Sequence, residues 1–151
     1  MNTAMQANIE DNNLFVLKPN ESFGVFKFGD SIKKYLNYKH TVANYDNSFV
    51  EYEFYEMGLC VWLDNESKQR IIGSVVSESY CYLNNQNIIG MSYKEFINKY
   101  NSVCDGVDVF YFDEIHQHTQ RVYDHTSLGL QLWTWRNRII AVIAYKVASD
   151  D

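Results

Sequence analysis

Three histidines and two acidic residues in the second half of the chain have the side-chain types that bind metal ions. His116 and His118 are two residues apart, Asp113 and Glu114 precede them, and His125 follows. Imidazole and carboxylate groups are zinc ligands, and an H-x-H pair on a strand shares one side. The stretch is polar, however, and no third ligand follows at a spacing typical of a metal site. We therefore interpret it as a solvated surface loop and predict no metal, although an unrecognised enzyme site around these histidines is an open alternative.

Other kinds of catalytic site lack their sequence motifs. Nucleophilic catalysis would need an activated serine or cysteine, and neither G-x-S-x-G nor a Cys/His signature occurs. Glu51, Glu53 and Glu56 lie on or beside a segment in which Tyr52 and Phe54 alternate with them, which indicates the solvent side of a strand. The seven glycines are scattered singly, so there is no phosphate-binding loop. We predict that the chain is not an enzyme and uses no cofactor.

The charge balance restricts the class of partner. With 19 acidic and 13 basic residues, the formal net charge is −6. Such a surface repels nucleic acid and anionic membranes and attracts a basic protein. The same charge could also serve only to keep the protein in solution.

Cysteine usage and the N-terminal residues indicate the compartment. Cys60, Cys81 and Cys104 are odd in number and widely spaced, which favours reduced thiols over a disulfide framework. The N-terminus is polar and contains Glu10 and Asp11 rather than a basic start before an apolar run, so we predict no signal peptide. No window is apolar enough to span a bilayer. The cytoplasm is the expected location.

The length and composition predict one domain over residues 1–151. Hydrophobic residues make up 46% of the chain and aromatic residues 16%, which is enough to build a core. Residues 1–13 are expected to be flexible.

The chain contains an internal similarity. Residues 28–37 (FGDSIKKYLN) align with residues 89–98 (IGMSYKEFIN), and residues 57–62 (MGLCVW) align with residues 128–133 (LGLQLW) in the same order. Arg-Ile-Ile then occurs after each second block. The pattern predicts two diverged copies, at about residues 24–83 and 84–147.

Each copy is predicted to begin with a short amphipathic helix. In the second copy, Ser92 and Glu95 form a capping box, and apolar residues recur at helical spacing on one face. These residues are Tyr93, Phe96, Ile97 and Tyr100. In the first copy Asp30 or Ser31 can cap a helix with a similar stripe, formed by Ile32, Tyr35 and Leu36.

Three β-rich segments follow each helix. They are residues 49–55, 59–63 and 71–76 in the first copy and residues 107–112, 130–135 and 139–145 in the second. Residues 64–67 are expected to form a polar loop and residues 136–137 a tight turn. Residues 14–17 are expected to add a strand, and residues 80–83 to continue or join the sheet. The predicted fold class is α+β: an antiparallel sheet with helices on one face, built from two diverged α-β-β-β repeats.

Alternation along the strands predicts a surface rich in tryptophan. If Leu59, Val61 and the leucines of the second copy face the helices, Trp62, Trp133 and Trp135 face the opposite side. Twelve tyrosines, nine phenylalanines and three tryptophans exceed what one small core buries, and these residue types anchor protein interfaces. The predicted partner-binding residues are Trp62, Trp133, Trp135, Gln131, Asp108, Asp113 and Glu114. Alternatively, the N-terminal segment or a second copy of the chain covers the tryptophans.

The two cap-and-helix blocks, Gly29-Asp30-Ser31 and Gly90-Met91-Ser92 with their following strands, resemble the duplicated unit of the β-lactamase inhibitor protein fold over most of residues 24–147. The resemblance implies one continuous sheet that grips a partner enzyme. Those inhibitors are exported and disulfide-bonded, which this chain is not expected to be.

By type, a small acidic cytoplasmic chain is also similar to the bacterial immunity proteins that neutralise toxins. The expected function is therefore that of an immunity protein, which inhibits a basic, nuclease-type toxin by direct binding, as a monomer or homodimer without nucleic acid or membrane partners. A small-ligand carrier with a pocket between sheet and helices is the alternative.

Overall fold

The computed structural model describes residues 12–45, 49–64, 70–113 and 118–147. Within these ranges the helical elements are one α-helix, α1 (Tyr93–Tyr100), and three short 3-10 helices at Asn12–Phe15, Ile32–Tyr35 and Thr126–Leu128. The strands are β1 (Leu17–Lys18), β2 (Ser22–Phe23), β3 (Phe26–Lys27), β4 (Thr41–Tyr45), β5 (Phe49–Phe54), β6 (Leu59–Leu63), β7 (Ile72–Ser77), β8 (Tyr82–Leu83), β9 (Gln86–Asn87), β10 (Gly106–Asp113), β11 (His118–His125), β12 (Leu130–Trp135) and β13 (Arg138–Tyr145).

Eight strands form one antiparallel sheet in the order β10-β11-β12-β13-β7-β6-β5-β4. Each half of the chain supplies four consecutive strands, and β7 pairs with β13 at the centre of the sheet, where Val76 lies opposite Ile143. The predicted α+β class with an antiparallel sheet is confirmed. None of the helices in the described ranges has the length and apolar character needed to cross a membrane.

Two smaller sheets lie outside the main one. Strands β1, β2 and β3 form a three-stranded sheet and β8 pairs with β9 in a two-stranded one, with an isolated bridge between Val16 and Tyr82. The expectation that residues 80–83 extend the main sheet is therefore wrong. The tight turn Asn84-Asn85, with both residues in the left-handed region (φ 51° and 66°), sends the chain back along β8.

The core lies between the main sheet and a layer formed by α1, the Ile32–Tyr35 helix and the small sheets. Strands β6 and β12 alternate buried and half-buried residues along their length, so that each has one core side. Leu59, Val61, Leu130 and Leu132 are all buried on that side, as the leucine pattern predicted. We call this side of the sheet the inner face.

Helix α1 forms as its sequence predicted. The Ser92 hydroxyl accepts a hydrogen bond from the Glu95 backbone N–H at 3.1 Å and so caps the first turn. Phe96 is fully buried, and Tyr93 stacks on Tyr123 of β11 with ring centroids 3.7 Å apart. The helix ends at Asn101 in the left-handed conformation (φ 51°), a conformation that asparagine tolerates.

The first predicted helix is a four-residue 3-10 helix instead of an α-helix. Ser31, one of the two predicted caps, caps it, but Leu36, predicted to join the apolar stripe, is exposed. The Tyr35 hydroxyl donates to the Asp30 carboxylate at 2.8 Å and accepts from the Lys27 N–H at 3.2 Å. These bonds hold the Tyr35 ring against residues 27–30, just before the 3-10 helix. The capping-box position, which would support a longer helix, holds Lys34 instead of a glutamate.

Two strands of the main sheet were not predicted. Strand β4 follows the 3-10 helix, and β11 begins in the polar stretch around His118, which the sequence predicts as a loop. Strand β11 lies between β10 and β12 and is hydrogen-bonded on both sides, so pairing rather than side-chain character determines its conformation.

The two halves use the same backbone geometry where each helical segment meets the sheet. Gly29 and Gly90 have φ values of 90° and 95°. Gly29 N–H donates to the Ile72 carbonyl and Gly90 N–H to the Ile139 carbonyl. Glycine is suited to this left-handed entry because it lacks a Cβ atom.

Candidate protein-binding face

The main sheet has a second side, which we call the outer face. It is the side opposite α1, and its residues follow from the strand register and from alternation with the buried leucines. The outer face comprises Tyr45, Phe49, Glu51, Glu53, Cys60, Trp62, Ser74, Val76, Ala141, Ile143, Gln131, Trp133, Trp135, Gln120, Val122, Asp124, Asp108 and Phe110. All three tryptophans lie here and are half-buried.

Trp62 belongs to an aromatic group built on Glu51. Its indole N–H donates to Glu51 Oε1 at 2.8 Å, and the Tyr45 hydroxyl donates to Glu51 Oε2 at 3.1 Å. The Phe49 ring lies between them, with its centroid 5.1 Å from that of Trp62 and 4.7 Å from that of Tyr45. Three strands thus contribute to one aromatic patch whose polar atoms are satisfied.

Trp133 belongs to a corresponding group in the second half. Its indole N–H donates to Gln131 Oε1 at 2.9 Å, and the Gln131 amide donates to Asp124 at 3.0 Å. Phe110 of β10 stacks on Trp133 at 5.3 Å with an interplanar angle of 12°. The predicted residue Gln131 is therefore the link that orients Trp133.

Trp135 lies at the end of β12, beside the turn to β13. The Arg136 guanidinium lies over its ring, 4.4 Å from the centroid. Arg136 and Asn137 both have positive φ (51° and 66°), which confirms the predicted tight turn. The cation covers one side of this indole.

Trp62 and Trp133 occupy matching positions relative to an irregularity in their strands. The register shifts immediately after each of them, between Trp62 and Leu63 and between Trp133 and Thr134. In both cases the indole N–H is bound by a side-chain oxygen of the outer face. The two rings are therefore presented by the same local arrangement, one in each half of the sheet.

The outer face is acidic. Among the strand residues whose side chains the structure describes, the charged ones on this face, apart from Arg138 at the terminal turn, are Glu51, Glu53, Asp108 and Asp124. Asp108 is exposed on the edge strand β10, beside Phe110. Within the part of the chain that the structure describes, neither Asp108 nor Glu53 has an ion-pair partner. The four carboxylates give this side a negative potential, and two arginines, Arg136 and Arg138, lie together at the turn between β12 and β13.

A groove of about 460 Å³ opens on the outer face at the ends of β5, β6 and β7. Its lining residues are Glu53, Tyr55, Gly58, Leu59, Cys60, Val76, Glu78 and Ser79. Burial, together with the charges of Glu51, Glu53 and Glu78, raises the pKa of Cys60 to about 12. The thiol therefore stays protonated and is a poor nucleophile or metal ligand.

His125, the third histidine of the candidate cluster with His116 and His118, lies in the core. It is fully buried, with Nε2 at 2.8 Å from the Tyr93 hydroxyl and Nδ1 at 2.9 Å from the Ser102 hydroxyl. Burial lowers its pKa, although the nearby Asp105 carboxylate acts in the opposite direction. His125 is thus a hydrogen-bonded core residue.

Four predicted site residues lie at the end of β10, at the start of β11 or in the sequence between them. Asp113 ends β10 and His118 begins β11, but only their backbones are described. Glu114 and His116 lie outside the described residues, as do most of residues 64–67 and residues 1–11 of the N-terminal stretch that we expected to be flexible. Asn12 and Asn13 begin the first 3-10 helix.

Comparisons with known proteins found no match. This holds for a scan against protein-family models, for a search of curated proteins and for a search of solved structures.

Sequence reasoning missed several members of this face. Phe49 and Phe110 lie next to the tryptophans, and Tyr45 and Asp124 complete the hydrogen-bonded groups. The available signal was the period-two alternation that placed Glu51 and Glu53 on the solvent side of β5. Applied to β10, the same alternation would have put Asp108 and Phe110 on one side.

Proposed function

We propose that this chain is a protein-binding inhibitor of the immunity type, which neutralises a basic toxin domain, such as a nuclease, by holding it against the outer face. The observation that supports this best is the combination of hydrogen-bonded tryptophans and uncompensated carboxylates on one side of an eight-stranded sheet. No catalytic role is proposed for any residue.

The aromatic groups suit an interface because their geometry is fixed before binding. Trp62 and Trp133 each have their indole N–H bound to a neighbouring side chain and their ring packed against a phenylalanine. A partner that contacts them therefore gains apolar contact area with little loss of side-chain entropy. Such residues are the usual energetic centres of protein interfaces.

The carboxylates suit a partner of opposite charge. Glu51, Glu53, Asp108 and Asp124 extend across both halves of the sheet, and the whole chain carries a net charge of −6. Long-range attraction of this kind increases the association rate of a basic protein and decreases that of nucleic acid. A cytoplasmic location, where Cys60, Cys81 and Cys104 would remain reduced, belongs to the same proposal.

We further propose that the two halves of the sheet are diverged copies of one α-β-β-β unit, related to the β-lactamase inhibitor fold. The matched hydrogen bonds of Gly29 and Gly90 and the matched register shifts after Trp62 and Trp133 support this. On this proposal the outer face carries two similar aromatic anchors, one from each copy.

The carrier alternative is less well supported. Phe96, Leu132 and Val142 are fully buried and fill the space between α1 and the sheet, where a ligand pocket was anticipated. The groove beside Cys60 instead opens on the outer face, where it adds a concave region to the same surface. We therefore treat this groove as part of the proposed protein-binding face.

The test is to immobilise the full chain, capture proteins from its native cells at low salt, purify the retained protein and measure its activity with and without equimolar chain. A parallel matrix carries Glu53→Gln with Asp108→Asn, which removes two outer-face charges while keeping side-chain size. The matched control carries Glu21→Gln with Glu95→Gln, which removes two exposed charges from the inner layer.

The proposal requires a basic protein that binds wild type and the control, binds the outer-face variant more weakly, and is inhibited at a one-to-one ratio. Equal capture by all three matrices, or capture without inhibition, would contradict it.

A further inference from the structure

Strand β10 is an edge of the main sheet whose inner-face side chains are uncovered. Val107, Val109 and Tyr111 lie on that side by register with Tyr123, Arg121 and Thr119. Their exposed fractions are 52%, 44% and 77%. Three successive inner-face positions are thus apolar and open to solvent.

The position of α1 explains this exposure. The helix packs over β11, through the stack of Tyr93 on Tyr123, and its Phe96 contacts His125 at the end of the same strand. Strand β10 lies one strand further out, beyond the reach of the helix. Natural sheets commonly protect such edges with lysine, proline or an inward-pointing charge. The regular part of β10, Gly106 to Tyr111, has none of these on its inner side.

We propose that β10 pairs antiparallel with β10 of a second copy of this chain, about a twofold axis at Val109. In this register Val109 lies opposite its own counterpart, and Val107 lies opposite Tyr111 of the other copy. Asp108 lies opposite Phe110, so the register places no like charges directly opposite each other between Val107 and Tyr111; the positions of Asp105 and Asp113 meet only at the two ends, beyond the register shift that follows Tyr111. The inner-face row of one copy then continues into that of the other.

A second copy fits this edge better than a different strand of the same protein would. Pairing of β10 with β10 is isologous and closes after two chains, whereas pairing of β10 with the opposite edge, β4, would propagate without end. Strand β4 also offers less apolar surface, since its inner-face residues are Val42 and Asn44. The product is a closed dimer with a continuous sheet of sixteen strands, twice the eight of one chain.

This inference is independent of the proposed inhibitor function because it depends on the edge and inner side of β10. The two associations also respond oppositely to salt. Each copy carries a net charge of −6, so screening strengthens the pairing of identical chains and weakens binding of a basic partner.

The test is sedimentation velocity of the full chain over a concentration series, at about 50 and about 500 mM NaCl. Val109→Lys places a charge at the twofold axis, and Val42→Lys is the matched control on the other edge, since Val42 is 46% exposed. We expect wild type and Val42→Lys to dimerise, more strongly at high salt, and Val109→Lys to raise the dimer dissociation constant by about tenfold or more. Circular dichroism confirms that each variant is folded.

Cross-linking provides a second measurement. Directly opposed residues in antiparallel strands have Cβ atoms about 5 Å apart, close enough for Val109→Cys to form an intermolecular disulfide under mild oxidation. Asp108→Cys should do so much less, because its opposite residue is Phe110. A chain that stays monomeric at every salt and concentration, or cross-linking equally efficient at both positions, would overturn the proposal.

Discussion

The indole N–H of Trp62 donates to Oε1 of Glu51 at 2.8 Å, so a side chain on the neighbouring strand fixes the orientation of this ring. The Tyr45 hydroxyl occupies the second oxygen of the same carboxylate. Glu51 therefore both orients the Trp62 ring and carries a negative charge, and two substitutions can separate these two effects.

Glu51→Gln keeps an oxygen acceptor for Trp62 and removes the charge, whereas Glu51→Ala removes both. At high salt, where charge effects are screened, only the effect of the ring orientation on binding remains. There we expect Glu51→Ala to weaken binding of the proposed partner by about tenfold, and Glu51→Gln to weaken it clearly less. Isothermal titration calorimetry at two salt concentrations makes the comparison. Equal losses for both variants at high salt would mean that the hydrogen bond does not position the ring.

Trp133→Ala tests whether the outer-face tryptophans bind a partner or only support the fold. The residue is half-buried, so we expect the protein to remain folded while binding weakens by about 2 kcal/mol or more, as for interface anchors. Tyr80→Ala is the matched control, because it removes an aromatic side chain that is 44% exposed and lies outside both the outer face and strand β10. Thermal unfolding and the partner affinity are both measured; an unfolded Trp133→Ala protein would assign the indole to the core.

The buried His125 makes folding stability dependent on pH. Burial lowers its pKa from the ordinary value of 6.5, so the folded protein keeps the ring neutral where the unfolded chain takes up a proton. The unfolded state then binds more protons in acid, and the stability contribution is fully present above pH 6.5 and decreases below it.

We expect a lower melting temperature at about pH 5.5 than at about pH 7.5, and a smaller difference in His125→Gln. This pH range lies above that in which Asp30 takes up a proton, because the hydrogen bond from Tyr35 lowers the pKa of Asp30. Differential scanning calorimetry of both proteins measures the slope. An unchanged slope in His125→Gln would place the responsible group elsewhere.

Gly129 is expected to tolerate substitution less well than Gly90. Both have positive φ, but a Cβ on Gly129 would lie directly against the Tyr145 carbonyl oxygen, while a Cβ on Gly90 would meet nothing within 4 Å. Gly90→Ala should therefore cost about 1 kcal/mol of unfolding free energy from backbone strain, and Gly129→Ala about 2 kcal/mol more. Urea denaturation of the two variants compares these values, and equal losses would contradict the steric argument.

Local patterns predicted the elements whose own residues determine them. Strands β6 and β12 begin and end where alternation placed them, and α1 follows its capping serine and apolar spacing. The side on which the tryptophans lie also followed from alternation. These features depend on spacing within one segment, which a sequence contains.

The missed features depend on partners that are distant in sequence. Strand β11 has mostly polar side chains and exists because β10 and β12 pair with both of its edges. The link between Glu51 and Trp62 requires the register of two strands, and the burial of His125 requires α1 above it. No local pattern in a single segment encodes such contacts.

The pairing of β7 with β13 has a consequence for how the chain is made. Strand β7 belongs to the first half, yet its second neighbour is the last described strand, so this edge stays open while the ribosome adds the whole of the second half. Long-range pairing of this kind is slow to form and leaves apolar edges exposed to other nascent chains. Truncation before Arg138 would leave this edge of β7 permanently unpaired. We expect the truncated product to accumulate in inclusion bodies and not as a stable half-protein.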